Sequence, residues 1–241
     1  MADTAPLYNG EFYDTIRSAA VNSAAAVAKE LAKVFAAAAT PKPLLLPGST
    51  SRPFYVVDVG GGEGHWAAAF RDEVPGDCAA LCVDGEHVAE HVVPFLPRDL
   101  NQPLDLYPDT PKYVDLVICL EVAEHLPPER AAGFVAELAH LSDLILFSAA
   151  VPGQPGTNHV NCQPPTYWRD LFAQHGLSGS GALRHLFWGD PRVEWWYQQN
   201  LMLFAPAATL TDVIEELGLP DDLDPCNYLV HPTLYEWALN R

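Results

Sequence analysis

The residues best equipped for chemistry gather around one glycine-rich turn, Val57-Asp58-Val59-Gly60-Gly61-Gly62-Glu63-Gly64, which follows a strand-like run and opens a helical one. In an open α/β sheet such a turn lies at the carboxyl ends of the strands, where ligands bind, and glycines let the backbone approach a ligand closely. A dinucleotide site calls for G-x-G-x-x-G. Here His65 stands three residues after Gly62 and the third glycine comes early, at Gly64, so the spacing is D-x-G-x-G-x-G. Asp58 and Glu63 beside the loop repel a pyrophosphate and attract a ligand that carries an ammonium and a sulfonium. Asp84 ends the second strand-like run, where a carboxylate can accept hydrogen bonds from both hydroxyls of a ribose. Asp99-Leu100-Asn101 follows the expected end of a third strand, which puts Asp99 in reach of an adenine amino group. Asp115-Leu-Val-Ile-Cys-Leu-Glu121 reads as a fourth strand ending in an acid.

A second set of residues suits an acceptor. A hydroxyl is a weak nucleophile until it loses its proton, and imidazole is the side chain whose basicity fits that task. His125, just past the fourth strand, and His159, after the fifth, both fall at the ligand edge of the sheet, with His159 ranked ahead as the base. Each is equally read as a histidine that caps a helix or orders a loop. Asn161, Gln163, Tyr167 and Trp168 offer amides and aromatic faces suited to a polar, polyol-like acceptor, and Tyr167 and Trp168 are alternatively helix core. Tyr8, Phe12 and Tyr13 start an N-terminal helix that is expected to fold over the ligand as a lid, which adds Tyr13 to the substrate contacts. His87-Val-Ala-Glu90-His91 has the H-x-x-E-H spacing that puts two imidazoles on one helical face, but so short a pattern arises by chance, and no metal site is assigned.

The elements that must hold these residues follow from hydrophobic periodicity. Residues Asp14 to Ala39 are alanine-rich with Ile16, Val27, Leu31, Val34 and Phe35 at helical spacing, and Pro41, Pro43, Pro47 and Gly48 then break the pattern. Tyr55–Val59, Ala79–Val83, Val114–Leu120 and Leu144–Ser148 are near-continuous apolar runs, as expected of strands buried on both faces in a parallel sheet. Trp66–Arg71, His87–Val93, Pro128–Leu141 and Pro165–His175 are the expected crossover helices. Leu183–Trp188 and Trp195–Ala205 read as an antiparallel pair at the sheet edge, with Trp195, Trp196 and Tyr197 as strand packing. Leu210–Leu217 reads as a short helix before an acidic, Pro-containing tail. The expected division is a helical cap and linker over residues 1–48, an α/β core over 49–206, and a C-terminal helix and tail over 207–241.

Composition narrows the partners. The chain has 241 residues, 49% hydrophobic and 18% charged, enough for one well-buried α/β domain and a cap. Its 13 Lys+Arg against 31 Asp+Glu give a formal charge of −18, which disfavours nucleic acid and anionic membrane surfaces. The expected partners are therefore a small-molecule acceptor and at most a second copy in a homodimer, with no nucleic acid and no membrane. No segment has the length and apolar content of a membrane span, and the start lacks a signal-like stretch, so a cytoplasmic location is expected. The five cysteines lack paired C-x-x-C spacing and read as small buried residues.

The string Val57–Gly64, then Leu120-Glu-Val-Ala-Glu-His-Leu126, then Phe147-Ser-Ala-Ala-Val-Pro-Gly-Gln154, resembles the class I S-adenosylmethionine-dependent methyltransferases. It is most similar to small bacterial and phage members associated with glycan and natural-product clusters. The likeness continues through Thr157–Gln163, Tyr167-Trp168 and Trp195-Trp-Tyr-Gln-Gln-Asn-Leu201. It implies a Rossmann-like sheet of seven strands, mostly parallel with the last antiparallel, and S-adenosyl-L-methionine as cofactor. It also implies that Gly60, Gly62, Asp84, Asp99 and Glu121 line that cofactor; with the loop residues Asp58, Gly61 and Gly64, and with Leu100 beside Asp99, these make up the expected cofactor site. Family members commonly carry His-x-Asn-Glu-Gln where this chain has His159-Val160-Asn161-Cys162-Gln163, so no acid role transfers to position 162. The activity implied is methyl transfer to a small molecule, at the oxygen of a sugar or of a secondary-metabolite hydroxyl or acid. A nicotinamide-dependent oxidoreductase and a non-catalytic cofactor-binding homologue are the competing readings.

Overall fold

The computed structural model describes residues 10–39, 52–109, 112–220 and 229–240, with side chains in the first helix from residue 17 onward. The expected Pro41–Gly48 linker, Cys226 and the side chains of Tyr8, Phe12 and Tyr13 lie outside the described residues. In chain order the elements are α1 (Gly10–Ala38), β1 (Phe54–Val59), α2 (His65–Glu73), β2 (Cys78–Asp84), β3 (Phe95–Pro97) and β4 (Leu116–Leu120). They continue with α3 (Ala131–Leu141), β5 (Ile145–Ser148), α4 (Pro165–Ala173), β6 (Ser178–Ser180) and α5 (Arg184–Phe187). The chain closes with α6 (Trp195–Asn200), β7 (Met202–Ala205), α7 (Ala207–Glu216) and α8 (Pro232–Leu239).

The seven strands form one sheet in the order β3-β2-β1-β4-β5-β7-β6. Pairings from β3 across to β5 are parallel, and β7 runs antiparallel to both β5 and β6, the arrangement the resemblance implies. Both faces of the sheet are covered, and the strands show why. Val56, Leu116 and Ile118 point to one core with α1, α2 and α7, while Val57, Val59, Val117 and Cys119 point to the other with α3 and α4. Alternate residues of a strand face opposite sides, so two-sided burial requires the apolar runs seen in the sequence.

The α1 helix is a core element for most of its length. Ala24, Val27, Ala28, Leu31 and Phe35 are fully buried at helical spacing, and the Phe35 ring stacks on Phe70 of α2 at 6.1 Å. Burying each of the large side chains contributes roughly 1.5–3 kcal/mol.

Four expectations about elements are corrected. Residues His87–Val93 form no helix: the β2 to β3 connection runs as turns and bends, with Val93 buried against Gly64 and Pro94 leading into β3. β-branched Val92-Val93 before a proline disfavours helix there. Leu183–Trp188 and the first half of Trp195–Ala205 are the helices α5 and α6 rather than strands, so Trp195, Trp196 and Tyr197 are helical. The true edge partner of β7 is Ser178–Ser180, a stretch with almost no apolar signal. Its Gly179 admits the Phe204 ring, which a Cβ would meet at 2.5 Å. The tail also carries α8, anchored through Leu234.

The sheet order reverses between β1 and β4, the topological switch point at which open α/β sheets form a ligand crevice outside the strand carboxyl ends. Among the described residues no helix is long and apolar enough to cross a membrane.

Candidate active site

An open cavity of about 1490 Å³ occupies that crevice. It exceeds the roughly 300–1,000 Å³ of a usual small-molecule pocket, which leaves room for two ligands side by side. Its floor is the glycine loop between β1 and α2. Gly60 has φ +76°, a left-handed conformation, and a Cβ there would meet Val122 at 2.5 Å; a Cβ on Gly61 would meet the Asp58 carboxyl at 2.3 Å. Only glycine fits such a loop without displacing its neighbours.

The loop amides are already engaged. Gly60 N–H donates to the Val83 carbonyl at 2.7 Å, Gly62 N–H to Asp84 Oδ2 at 2.7 Å, and Gly64 N–H to the Gly61 carbonyl at 2.9 Å. Inside α2 the Ala67 N–H donates to Asp58 Oδ2 at 3.3 Å. A diphosphate is held by amides at a helix N-terminus, and four of those in and after this loop, at Gly60, Gly62, Gly64 and Ala67, bond to protein acceptors.

The carboxylates around the loop differ in their electrostatic state. Asp58 is buried, and desolvation raises its pKa to about 7 against the Ala67 N–H that lowers it. Glu63 is held well below the usual carboxylate range, first by its hydrogen bonds from Arg17, one at 2.7 Å, and further by His65 at 3.0 Å. Neither carboxyl presents a full free charge to a ligand: Asp58 titrates close to neutrality, and Glu63 is paired with Arg17 of α1. Asp84, at the end of β2, accepts from Gly62 N–H and from Gly85 N–H at 2.6 Å; burial raises its pKa and these two amides oppose the rise. Asp84 lines the cavity with its carboxyl locked in orientation.

Glu121 follows β4 with φ +55°, a strained conformation for a residue with a side chain. Its N–H bonds to the carbonyl and hydroxyl of Ser148 at 3.0 and 3.1 Å. Its carboxylate accepts from Gln154 Nε2 at 2.9 Å and from Asn200 Nδ2 at 3.1 Å, and Asn200 Nδ2 also reaches Gln154 Oε1 at 2.9 Å. Burial raises the Glu121 pKa against these donors. Next to it lies Glu124, whose pKa is driven well up by burial and by the neighbouring Glu121 charge.

Of the expected cofactor residues, the cavity brings together Asp58, Gly60, Gly61, Gly62, Asp84, Asp99, Leu100 and Glu121. Gly64 is set back from it, packed under Val93. Asp99 accepts from Asn101 N–H at 3.0 Å, and the Leu100 carbonyl accepts from Arg130 Nε at 3.1 Å. His125 and His159 also reach the cavity, their rings 4.9 Å apart at 71°. Burial, then the adjacent His159, lowers the His125 pKa to about 4, and burial lowers that of His159 as well.

Four of the expected acceptor residues lie elsewhere than on this cavity. Asn161, Gln163, Tyr167 and Trp168 do not line the cavity. Trp168 is fully buried against Phe147 in the core beneath α4, and Tyr167 packs beside it. Asn161 is buried, accepting from Gln163 at 2.9 Å and donating to the Ala123 carbonyl at 3.4 Å, so it ties one loop to another. The residues that take their place on the cavity wall are Trp195, Trp196 and Tyr197 of α6 with Gln154. The aromatics themselves read as strand packing; the one contrary signal is the three amides that follow them, Gln198, Gln199 and Asn200. Arg17 was missed for a different reason: its partner lies 46 residues away.

With this geometry established, sequence comparison decides the family, because the model of a methyltransferase domain matches residues 23–145, just over half of the chain. The chain belongs to the methyltransferase-domain family. The fold comparison finds the same fold in solved structures. An O-methyltransferase family protein from Burkholderia thailandensis superposes with a TM-score of 0.56 at 14% identity, over 83% of this chain and 62% of that one. A Nostoc punctiforme protein described as a candidate O-methyltransferase gives 0.54 at 12% identity, over 81% and 58%. The chain thus spans less than two thirds of the length of either. A comparison with curated proteins gives no match. Fold and family are those of the class I S-adenosylmethionine-dependent methyltransferases.

Proposed function

We propose that the chain binds S-adenosyl-L-methionine in the switch-point cavity and transfers its methyl group to the oxygen of a small-molecule acceptor, a saccharide or a secondary-metabolite hydroxyl or acid. The observation that carries the reading is the state of the glycine loop: its amides at Gly60, Gly62 and Gly64 are bonded within the protein while carboxylates crowd the cavity. That donor set fits a cationic nucleoside and opposes the diphosphate of a nicotinamide cofactor, the main competing reading.

The cradle fits the cofactor on the chain's own terms. Asp84, fixed by two amides, meets the ribose hydroxyls with oriented lone pairs. Asp99 and Leu100 meet the adenine end. Glu121, held by Gln154 and Asn200, supplies a buried acceptor for the ammonium end. When bound, S-adenosylmethionine supplies an electrophilic methyl carbon on a sulfonium. The protein's part is to align the acceptor with that carbon and exclude water, for which the aromatic walls of Trp195, Trp196 and Tyr197 are suited. Acceptor activation belongs to the cluster of Glu124, His125 and His159. Of the two imidazoles His159 is the better proton acceptor, because His125, at about 4, is too weakly basic.

The acceptor class rests on two supports. The Burkholderia thailandensis protein of similar fold is an O-methyltransferase family member, and the aromatic and amide wall suits a polar ring. Calorimetric titration with S-adenosylmethionine, S-adenosylhomocysteine and NAD tests the cofactor, with saturable heat expected from the first two alone. Heat from NAD alone would overturn the reading. Transfer of a labelled methyl group to saccharide and phenol panels, followed by mass spectrometry, tests the acceptor.

A further inference from the structure

The far wall of the cavity holds three metal-ligating groups from two distant chain segments. Beyond β4 the chain turns through a short 3-10 segment, Ala123–His125, and the loop after β5 folds back over it. Val160 N–H and Asn161 N–H both donate to the Glu124 carbonyl at 2.9 Å, which clamps the segments together. The clamp sets one ligand atom each from Glu124, His125 and His159 within 4.8 Å of one another.

Glu124 is the unexplained member. It has 0% exposure and lines the cavity, and no donor meets its carboxyl oxygens at full hydrogen-bond geometry; the nearest polar groups are the backbone N–H of Ala150, its own N–H and the Glu121 carboxyl. A buried carboxyl in that condition calls for a partner. A proton shared with Glu121 would satisfy one oxygen, whereas a cation beside the two imidazoles would satisfy the charge of the whole group.

We propose that Glu124, His125 and His159 form a site for one divalent transition-metal cation, whose open coordination positions face the acceptor side of the cavity. Two imidazoles and one carboxylate are a familiar donor set for first-row divalent metals and leave room for further oxygen ligands. Two ligand atoms at about 2.1 Å from one ion, at tetrahedral angles, lie about 3.4 Å apart. The observed spread therefore closes by side-chain shifts of about 0.7 Å on each group, within reach of a rotamer adjustment. The surroundings favour a cation: with the Arg17–Glu63 pair set aside, six carboxyl groups but only one arginine, Arg98, line the cavity. Glu121, fixed by Gln154 and Asn200, lies beside Glu124 and adds negative charge behind the site.

The consequence for catalysis rests on the methyl-transfer reading; the cation site itself does not. A hydroxyl beside a divalent cation ionises near neutral pH. Its O–H bond breaks and the proton leaves to solvent. The oxygen's electron pair then forms the bond to the methyl carbon as the C–S bond breaks and returns its pair to sulfur. With the cation bound, it takes the part given above to His159, whose imidazole serves as its ligand instead of as the base.

The test uses the full chain stripped with a chelator and titrated with Mn²⁺, with free ion read by electron paramagnetic resonance, and with Co²⁺, read by its visible ligand-field bands. One Mn²⁺ per chain is expected, weakened at least about tenfold in His159→Ala and in Glu124→Gln, with the cobalt bands altered in both. Because Glu124 is buried, its variant is checked by circular dichroism; if it does not fold, the half-exposed His159 carries the test. Absence of a saturable site for either ion in the wild type, or equal affinity in the folded variants, would overturn the inference. S-adenosylmethionine titration in parallel separates the two claims: cofactor binding without a cation site sinks only this one, and a cation site without cofactor binding sinks only the proposed function.

Discussion

Replacing Asp58 with Asn should flatten part of the pH dependence of folding. Asp58 is 2% exposed, and burial raises its pKa from 3.8 to about 7. In the unfolded chain the group ionises near 4, whereas the folded chain keeps its proton until about 7. Between those values the unfolded state holds fewer protons, so the stability of the wild type falls as pH rises through the window and levels off above it. About three pKa units at 1.36 kcal/mol each set an upper limit of about 4 kcal/mol on that loss. The variant retains an oxygen for the Ala67 N–H but brings an amide N–H₂ that must find its own acceptor, a constant offset of about 1–3 kcal/mol that does not vary with pH. The decisive quantity is therefore the change in the difference between the two proteins. Urea unfolding at pH 4.5 and pH 8 should show the variant gaining on the wild type by up to about 3 kcal/mol as pH rises, about 1 kcal/mol of the total having been lost below pH 4.5. Parallel pH profiles would mean that Asp58 ionises freely in the folded state and that the loop does carry its charge.

Other perturbations separate structure from binding. Asp84→Asn should weaken S-adenosylhomocysteine binding about 100-fold in calorimetry, since two charge-assisted bonds to the ribose each lose about 1.4 kcal/mol; a change under threefold would remove Asp84 from the cofactor site. Gly60→Ala forces a side chain to φ +76° and against Val122, costing at least about 1–2 kcal/mol, so thermal denaturation should shift down by roughly 2–8 °C, and an unchanged Tm would contradict the loop geometry. Trp168→Ala should cost about 3–5 kcal/mol in urea unfolding without a selective rise in acceptor KM, and the opposite pattern would return Trp168 to the acceptor pocket.

The parallel core was legible because two-sided burial writes itself into the sequence. Val56 and Val57 belong to different cores, so neither can be polar, and the run that results cannot be mistaken for a surface strand. The glycine loop was equally legible, since its backbone conformation admits few residue types. At the sheet edge the signal failed. Ser178–Ser180 is a strand through backbone pairing with β7 and through the space Gly179 leaves for Phe204, neither of which is a pattern in its own residues. The aromatic run at Trp195 has strand-like composition but folds as a helix whose aromatic residues line the cavity wall.

By itself the sequence determined the parallel core strands, the glycine turn and the residue types at the strand ends, because local periodicity and glycine sterics act over short spans of chain. Only the tertiary structure decided which groups carry charge and which meet. The pairing of Arg17 with Glu63, the protonation of Asp58, the core position of Trp168 and the gathering of Glu124, His125 and His159 all depend on burial and on contacts between remote segments. A titratable group answers to its dielectric surroundings and neighbours in space, and those exist only once the chain has folded.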